Sequence, residues 1–410
     1  MESFRLLTQQ LAERPAHVPA GHVVDFDVYD PPEVERNYHA AWGKLHEPWV
    51  PDMVWTPRNG GHWIVTRGAA MKQVWEDFER FSSHILMVPK AESEEHQMVP
   101  SVLDPPHYRP YRLLINNGLA PKQVRRREES IRKLSIALIE AVRADGRCNF
   151  TTAYAEQLPI AVFLDMCQLP FEDAPMLKKW ADMHLVAAGA ETREESRVSF
   201  ANYLTRWLNE RKGGDGEDVL SSIVNGTING EPITMEDAVQ MSTQVLMAGL
   251  DTVVNFLGFV MLFLARNPEH RQELVDNPSL IPAAVDELFR RFPIVNMCRM
   301  AVKDMHFAGV DLKAGDVILM PSSLHGLDER ENPDPLKIDY DRPRIEHSTF
   351  GQGAHRCAGV MLAKVEVRIT LEEWLSRIPQ FKLADDADIR FRSGMVGRVL
   401  AVPLVWPTDG

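Results

Sequence analysis

The sequence predicts a mainly α-helical protein with a minor β region, an α+β organisation built around one long helix. Three observations lead there. Helical patterning fills the stretch from about Pro121 to Arg291, with starts and stops marked by Pro, Gly and Asp. Within it one helix is predicted between Thr234, three residues before Asp237 in a capping arrangement, and Asn267-Pro268. Its length of about 30 residues corresponds to roughly 45–50 Å, enough to cross the whole molecule. Strand-like pieces are short and lie outside this body.

The first hundred residues are rich in Pro and aromatic residues and hold the strand-like run His62 to Thr66. Gly213-Gly214-Asp215-Gly216 reads as a surface loop inside the helical body, not a domain boundary. Short strands follow from Ile294 to Met320, punctuated by Ala308-Gly309 and Ala314-Gly315 turns. A helix is predicted from Val360 to Ile378, stopping before Pro379, and the tail Val399 to Val405 is strand-like.

Composition narrows the function. The chain has 410 residues, 45% hydrophobic and 25% charged, as in a globular protein with ample core. Its net charge of −13 argues against nucleic acid as a partner. The stretch Met1 to Pro19 is polar and lacks a signal-peptide h-region. The longest apolar run, Phe256 to Ala265, is too short to span a bilayer. A cytoplasmic protein without membrane contact is therefore expected. Cys148, Cys167, Cys298 and Cys357 are widely spaced, which suits a reducing compartment and indicates neither a disulfide framework nor a zinc site.

One cysteine stands apart from the rest. Cys357 lies in Phe350-Gly351-Gln352-Gly353-Ala354-His355-Arg356-Cys357-Ala358-Gly359, immediately before a predicted helix. The free N–H groups and dipole of that helix start favour an anion and are expected to depress the thiol pKa. Gly353 permits a tight bend, and Gly359 leaves room for a planar ligand over the sulfur. A thiolate presented in this way is a known axial ligand of haem iron. A lone cysteine is more often an inert core thiol, but the glycine pattern and the helix start argue against that here.

The long helix carries Ala248-Gly249-Leu250-Asp251-Thr252 at its middle. A helical glycine costs on the order of 1 kcal/mol against alanine, and a threonine hydroxyl can divert a backbone bond. Together they are expected to open a groove in the helix, although a close helix crossing at Gly249 would use the same residue. Further along, Glu287-Leu288-Phe289-Arg290 puts two opposite charges on one helical face.

The ten residues ending in Gly359 match the haem-binding signature of the cytochromes P450, and from Asp104 to Val405 the motif spacing resembles the bacterial camphor 5-monooxygenase subfamily. The resemblance implies a single P450 domain over residues 1–410, with the long helix over a buried haem b ligated by Cys357. It implies that Asp251 and Thr252 deliver protons to iron-bound dioxygen, with Lys178 as a partner for Asp251. Glu287 and Arg290 would form a structural brace with Arg342. Haem-binding roles fall by resemblance on Arg112, Arg299, His355, Tyr108, Phe350 and Gly249, the first three as cations for the propionates. Many relatives carry histidine two residues after Pro105-Pro106; this chain has Tyr108 there and His107 one place early.

Substrate positions implied by the resemblance are His96, Met87, Met98, Gln244, Met247, Val295, Met297, Met395 and Val396. His96 stands where the camphor enzyme uses a tyrosine as hydrogen-bond donor, and reads here as donor, wall or solvated loop residue. Methionines adapt to irregular shapes, so the expected substrate is a terpenoid or norisoprenoid ketone larger than camphor. The expected reaction is a monooxygenation using O2. A haem-thiolate sensor or ligand carrier without turnover is the alternative, and the Asp251–Thr252 pair argues against it. The expected electron donor is a [2Fe–2S] ferredoxin served by an NADH-dependent reductase, docking on Arg109, Arg112, Arg344, Arg356 and Lys364 of a monomer.

Overall fold

The computed structural model describes residues 11–95, 97–185 and 190–408. The elements that carry the site are helices α1 (Tyr108–Gly118), α2 (Leu158–Met166), α3 (Met235–Arg266), α4 (Ile281–Arg291) and α5 (Val360–Arg377). They sit beside a five-stranded sheet of β1 (Met53–Thr56), β2 (His62–Val65), β3 (Phe81–Ser82), β4 (Asn296–Ala301) and β5 (Val317–Pro321), ordered β1-β2-β5-β4-β3. A separate hairpin pairs β6 (Phe391–Arg392) with β7 (Arg398–Val399) in antiparallel register.

Helix α3 is the centre of the molecule. Thr234 caps it by accepting from the Asp237 N–H at 3.0 Å, and the last turn closes at Asn267 before Pro268. Its 32 residues are apolar almost all round because they are wrapped on all sides, the pattern of a core helix. Among the described residues it is the one helix long and apolar enough to cross a membrane, yet 78% of its most apolar window is buried in the fold. Helix α2 crosses it where a Cβ on Gly249 would lie 2.4 Å from the Phe163 ring.

Charge is sealed inside one corner. The Glu287 carboxylate receives two bonds from Arg290 at 2.7 Å and two from Arg342 at 3.1 Å, with the Asp339 N–H at 3.2 Å. Arg290 also donates to the carbonyls of Gly326, Pro335 and Lys337. Glu287 and Arg290 are fully buried, so this network is stable only because each charge and proton is matched. It ties α4 to the segment leading into the cysteine loop. A carbon at Gly326 would meet the Arg290 carbonyl at 2.0 Å, which is why that position holds glycine.

Candidate active site

A cavity of about 1010 Å³ lies between α3 on one side and the cysteine loop on the other. The loop is bent by Gly351 and Gly353, both at φ +64°, and Gly353 packs where a Cβ would touch the Trp75 carbonyl at 2.9 Å. The Cys357 N–H donates to the Phe350 carbonyl at 2.8 Å, and α5 begins three residues later. Cys357 is exposed, its surface opening on the cavity. Burial pushes its thiol pKa up, with the Gly359 N–H and the Arg112 and Arg356 charges pulling the other way. The depressed thiol expected from the helix start is therefore not found. Desolvation by the surrounding protein outweighs the helix-end field.

Opposite the sulfur stand Asp251 and Thr252. The Thr252 hydroxyl donates to the Ala248 carbonyl at 3.1 Å, and the Asn255 amide donates to the Asp251 carbonyl at 2.8 Å. The helix assignment runs unbroken through Gly249, and the Thr252 and Asn255 side chains bond to its carbonyls. Gly249 borders the cavity, but what demands a glycine there is the Phe163 ring, the close-crossing reading. Asp251, almost fully buried, takes the Arg398 guanidinium on Oδ2 at 3.1 Å. Sequence reasoning named Lys178 as a partner of Asp251 and did not name Arg398, which lies 147 residues away in the chain.

The cationic edge is built from three elements. Arg299, on β4, is 2% exposed and stacks over Trp75 at 4.6 Å; its guanidinium donates to the Cys298 carbonyl at 2.8 Å. No carboxylate hydrogen-bonds it among the described residues, and burial lowers its pKa to about 10, so it stays charged at neutral pH. Arg112, on α1, donates to the Tyr108 hydroxyl at 2.6 Å, to Asn116 at 2.7 Å and to the Arg356 carbonyl. His355 lies against the Tyr108 ring, centroids 3.9 Å apart, with Nε2 3.0 Å from the Ser83 hydroxyl.

Burial, reinforced by Arg299 and Arg112, drops the His355 pKa to about 3. It is therefore neutral, a hydrogen-bonding group and not the cation expected. Tyr108 is buried and His107 exposed, so the aromatic position faces the site and the histidine does not.

Met87, Met98, Met247 and Met297 line the cavity, as do Val295, Met395, Val396 and Phe350. Gln244 lines it too, but its amide belongs to the neighbouring loop. With its nitrogen turned to the Val99 carbonyl at 2.9 Å, its oxygen accepts from the Ser101 hydroxyl. His96 lies outside the described residues. Sequence reasoning missed Glu366 of α5, which borders the cavity with Oε1 unpartnered and its pKa raised well above the usual range by burial. A buried acid with no neighbour in sequence leaves no motif to read.

Residues 272–393 match the sequence profile of the family Cytochrome P450. A probable cytochrome P450 127A1 of Sinorhizobium fredii is 31% identical over 401 residues, covering 96% of both chains. The chain is a cytochrome P450. A mycinamicin IV hydroxylase/epoxidase of Micromonospora griseorubida is 28% identical, covering 89% of this chain and 94% of that one. The crystal structure of CYP101J2 superposes with a TM-score of 0.90 at 42% identity, over 97% of this chain and all of that one. That of CYP101C1 does so with a TM-score of 0.89 at 39% identity, over 97% and 100%.

As a cytochrome P450 monooxygenase the protein takes haem b through a cysteine thiolate and acts on a substrate and O2. The cavity fits that group on its own evidence. It has a cysteine sulfur on one wall, an apolar interior, and a buried guanidinium with no hydrogen-bonded carboxylate at the edge where propionates would need a cation.

Proposed function

We propose that this P450 hydroxylates a terpenoid or norisoprenoid ketone. The reaction is RH + O2 + two electrons + two protons giving ROH and water. The observation that carries it is a methionine-rich apolar cavity with Cys357 on one wall and Asp251–Thr252 on the other. Bound haem, ligated by Cys357, would supply the dioxygen site, and the thiolate would push electron density that favours O–O cleavage. Arg299 and Arg112 hold its propionates, with Tyr108 and neutral His355 hydrogen-bonding beside them. Thr252 presents a hydroxyl that passes protons, and Asp251 replenishes it from solvent. Gly249 and Phe350 shape the floor and edge of the haem space. A sensor would need no such acid–alcohol pair.

The electron donor is a [2Fe–2S] ferredoxin reduced by an NADH-dependent reductase, acting on a cytoplasmic monomer. Its docking surface is smaller than five cations. Arg344 is engaged by Glu346 at 2.9 Å and Lys364 by Asp286 at 2.5 Å, while Arg109 and Arg356 are exposed with no carboxylate bonded to them among the described residues.

The test is a Soret titration of purified holoprotein with terpenoid and norisoprenoid ketones, camphor included, followed by product formed per NADH. High-spin shifts with the larger ketones support the reading. Tight binding and efficient turnover of camphor would overturn the substrate class. Absence of a haem band would overturn the whole assignment.

A further inference from the structure

We propose that Arg398 is the positioning residue of Asp251, holding its carboxylate from a strand that also forms part of the substrate wall. The proposal rests on the reading of Asp251 as the proton-delivering acid and adds what governs it. The contact is Arg398 Nη2 to Asp251 Oδ2 at 3.1 Å, with the two side chains 16% and 3% exposed. A buried carboxylate loses its water and needs a cation to remain ionised. Arg398 meets that need from a site fixed by packing on both sides.

One residue before it, Gly397 packs where a Cβ would lie 2.4 Å from the Tyr38 ring. One residue after it, Val399 fills the space over Gly258 of α3, where a Cβ would lie 2.6 Å from its methyl. Gly258 is two turns from Asp251, so strand and helix are locked together along the line of the ion pair. Backbone bonds hold the same strand to the sheet side: the Gly397 N–H donates to the Ile294 carbonyl at 2.7 Å, and the Asn296 N–H to the Met395 carbonyl at 2.8 Å. Met395 and Val396 border the cavity three and two residues before Arg398. An occupant that pushes on this wall therefore moves the counter-ion of the acid, and proton delivery senses cavity filling through the four consecutive residues 395–398.

Two further ionisable groups serve as controls: Glu366 of α5, which borders the same cavity, and Lys178 on the helix Ala174–Leu185, which packs against α3. Infrared titration of the substrate-free holoprotein reads the carboxylic C=O band of Asp251, identified by its loss in Asp251→Asn; Glu366 adds a constant background. In Arg398→Met the half-protonation pH of Asp251 rises by about one unit or more, a tenfold change in proton affinity. Arg398→Lys recovers part of it, and Lys178→Met moves it less. An unmoved midpoint in Arg398→Met, or a larger move in Lys178→Met, overturns the proposal.

A second arm uses β-ionone, a norisoprenoid ketone, as the turnover probe. Arg398→Met lowers product per NADH severalfold in the parent and adds nothing in Asp251→Asn, with the CO-bound spectrum unchanged. An equal loss in both backgrounds overturns the proposal alone. If Asp251→Asn turns over β-ionone like the parent, the relay reading falls and the proposal falls with it.

Discussion

The two walls of the cavity treat charge in opposite ways. Behind the cysteine loop, Glu287, Arg290 and Arg342 bond one another and the backbone groups of Gly326 and of residues 333–339. Around the cavity the polar groups keep capacity in reserve: Arg299 has no hydrogen-bonded carboxylate among the described residues, Glu366 has an unpartnered oxygen, and Thr252 opens its hydroxyl to the cavity. The first arrangement fixes a scaffold. The second is built to receive something. A saturated network costs nothing further when a ligand enters, whereas groups in reserve draw their partners from the ligand.

Breaking the saturated side has the largest expected effect. Glu287→Gln leaves two buried guanidiniums short of charge, a loss of about 3–5 kcal/mol. The variant is expected to accumulate without haem, shown by protein absorbance with no Soret band. Normal haem content would mean that the network is not what holds the loop.

On the receiving side, Thr252→Ala keeps the fold and the haem but removes the hydroxyl. Product per NADH is expected to drop by about 100-fold while NADH consumption continues, measured by stoichiometry. Equal coupling in both proteins would show that the proton route runs elsewhere.

Acid sharpens the contrast because burial holds His39, His347 and His355 near 3. In the unfolded chain each takes up a proton below about 6.5, while the folded protein resists until near 3. The unfolded state thus binds more protons across that window, and stability falls as pH drops through it. Thermal midpoints should decline steadily below about pH 6.5. A flat profile would mean these histidines are charged in the fold.

The smallest effect belongs to the surface. Arg109→Glu is expected to slow reduction by ferredoxin a few-fold at low salt, with the difference fading as ionic strength rises. Stopped-flow rates that ignore both charge and salt would remove Arg109 from the docking face.

Much of this was readable in the chain because its signals are local. The cysteine loop, the capped long helix and the Glu287–Arg290 pair are each written within one or two turns, where spacing alone dictates geometry. Arg342 was reachable only by family resemblance, since nothing in the chain announces its bond to Glu287 across a separation of 55 residues. Arg398 was not reachable at all. Its contact with Asp251 depends on how a hairpin lies on α3, which Gly258 and Gly397 decide by what they admit. The thiol of Cys357 departs from expectation for the converse reason: a helix start is visible in sequence, but the desolvation that pushes the thiol pKa up is not.

Five of the cavity's wall residues, Met87, Met98, Met247, Met297 and Met395, are thioethers. Thioether sulfur is itself oxidised readily, becoming a sulfoxide that is polar and chiral where the methionine was flexible and greasy. A turnover that fails to place its oxygen on carbon leaves oxidant against this lining. The chamber is thus made of material that its own misfires corrode. Oxidation of these side chains would make polar a wall that is now apolar.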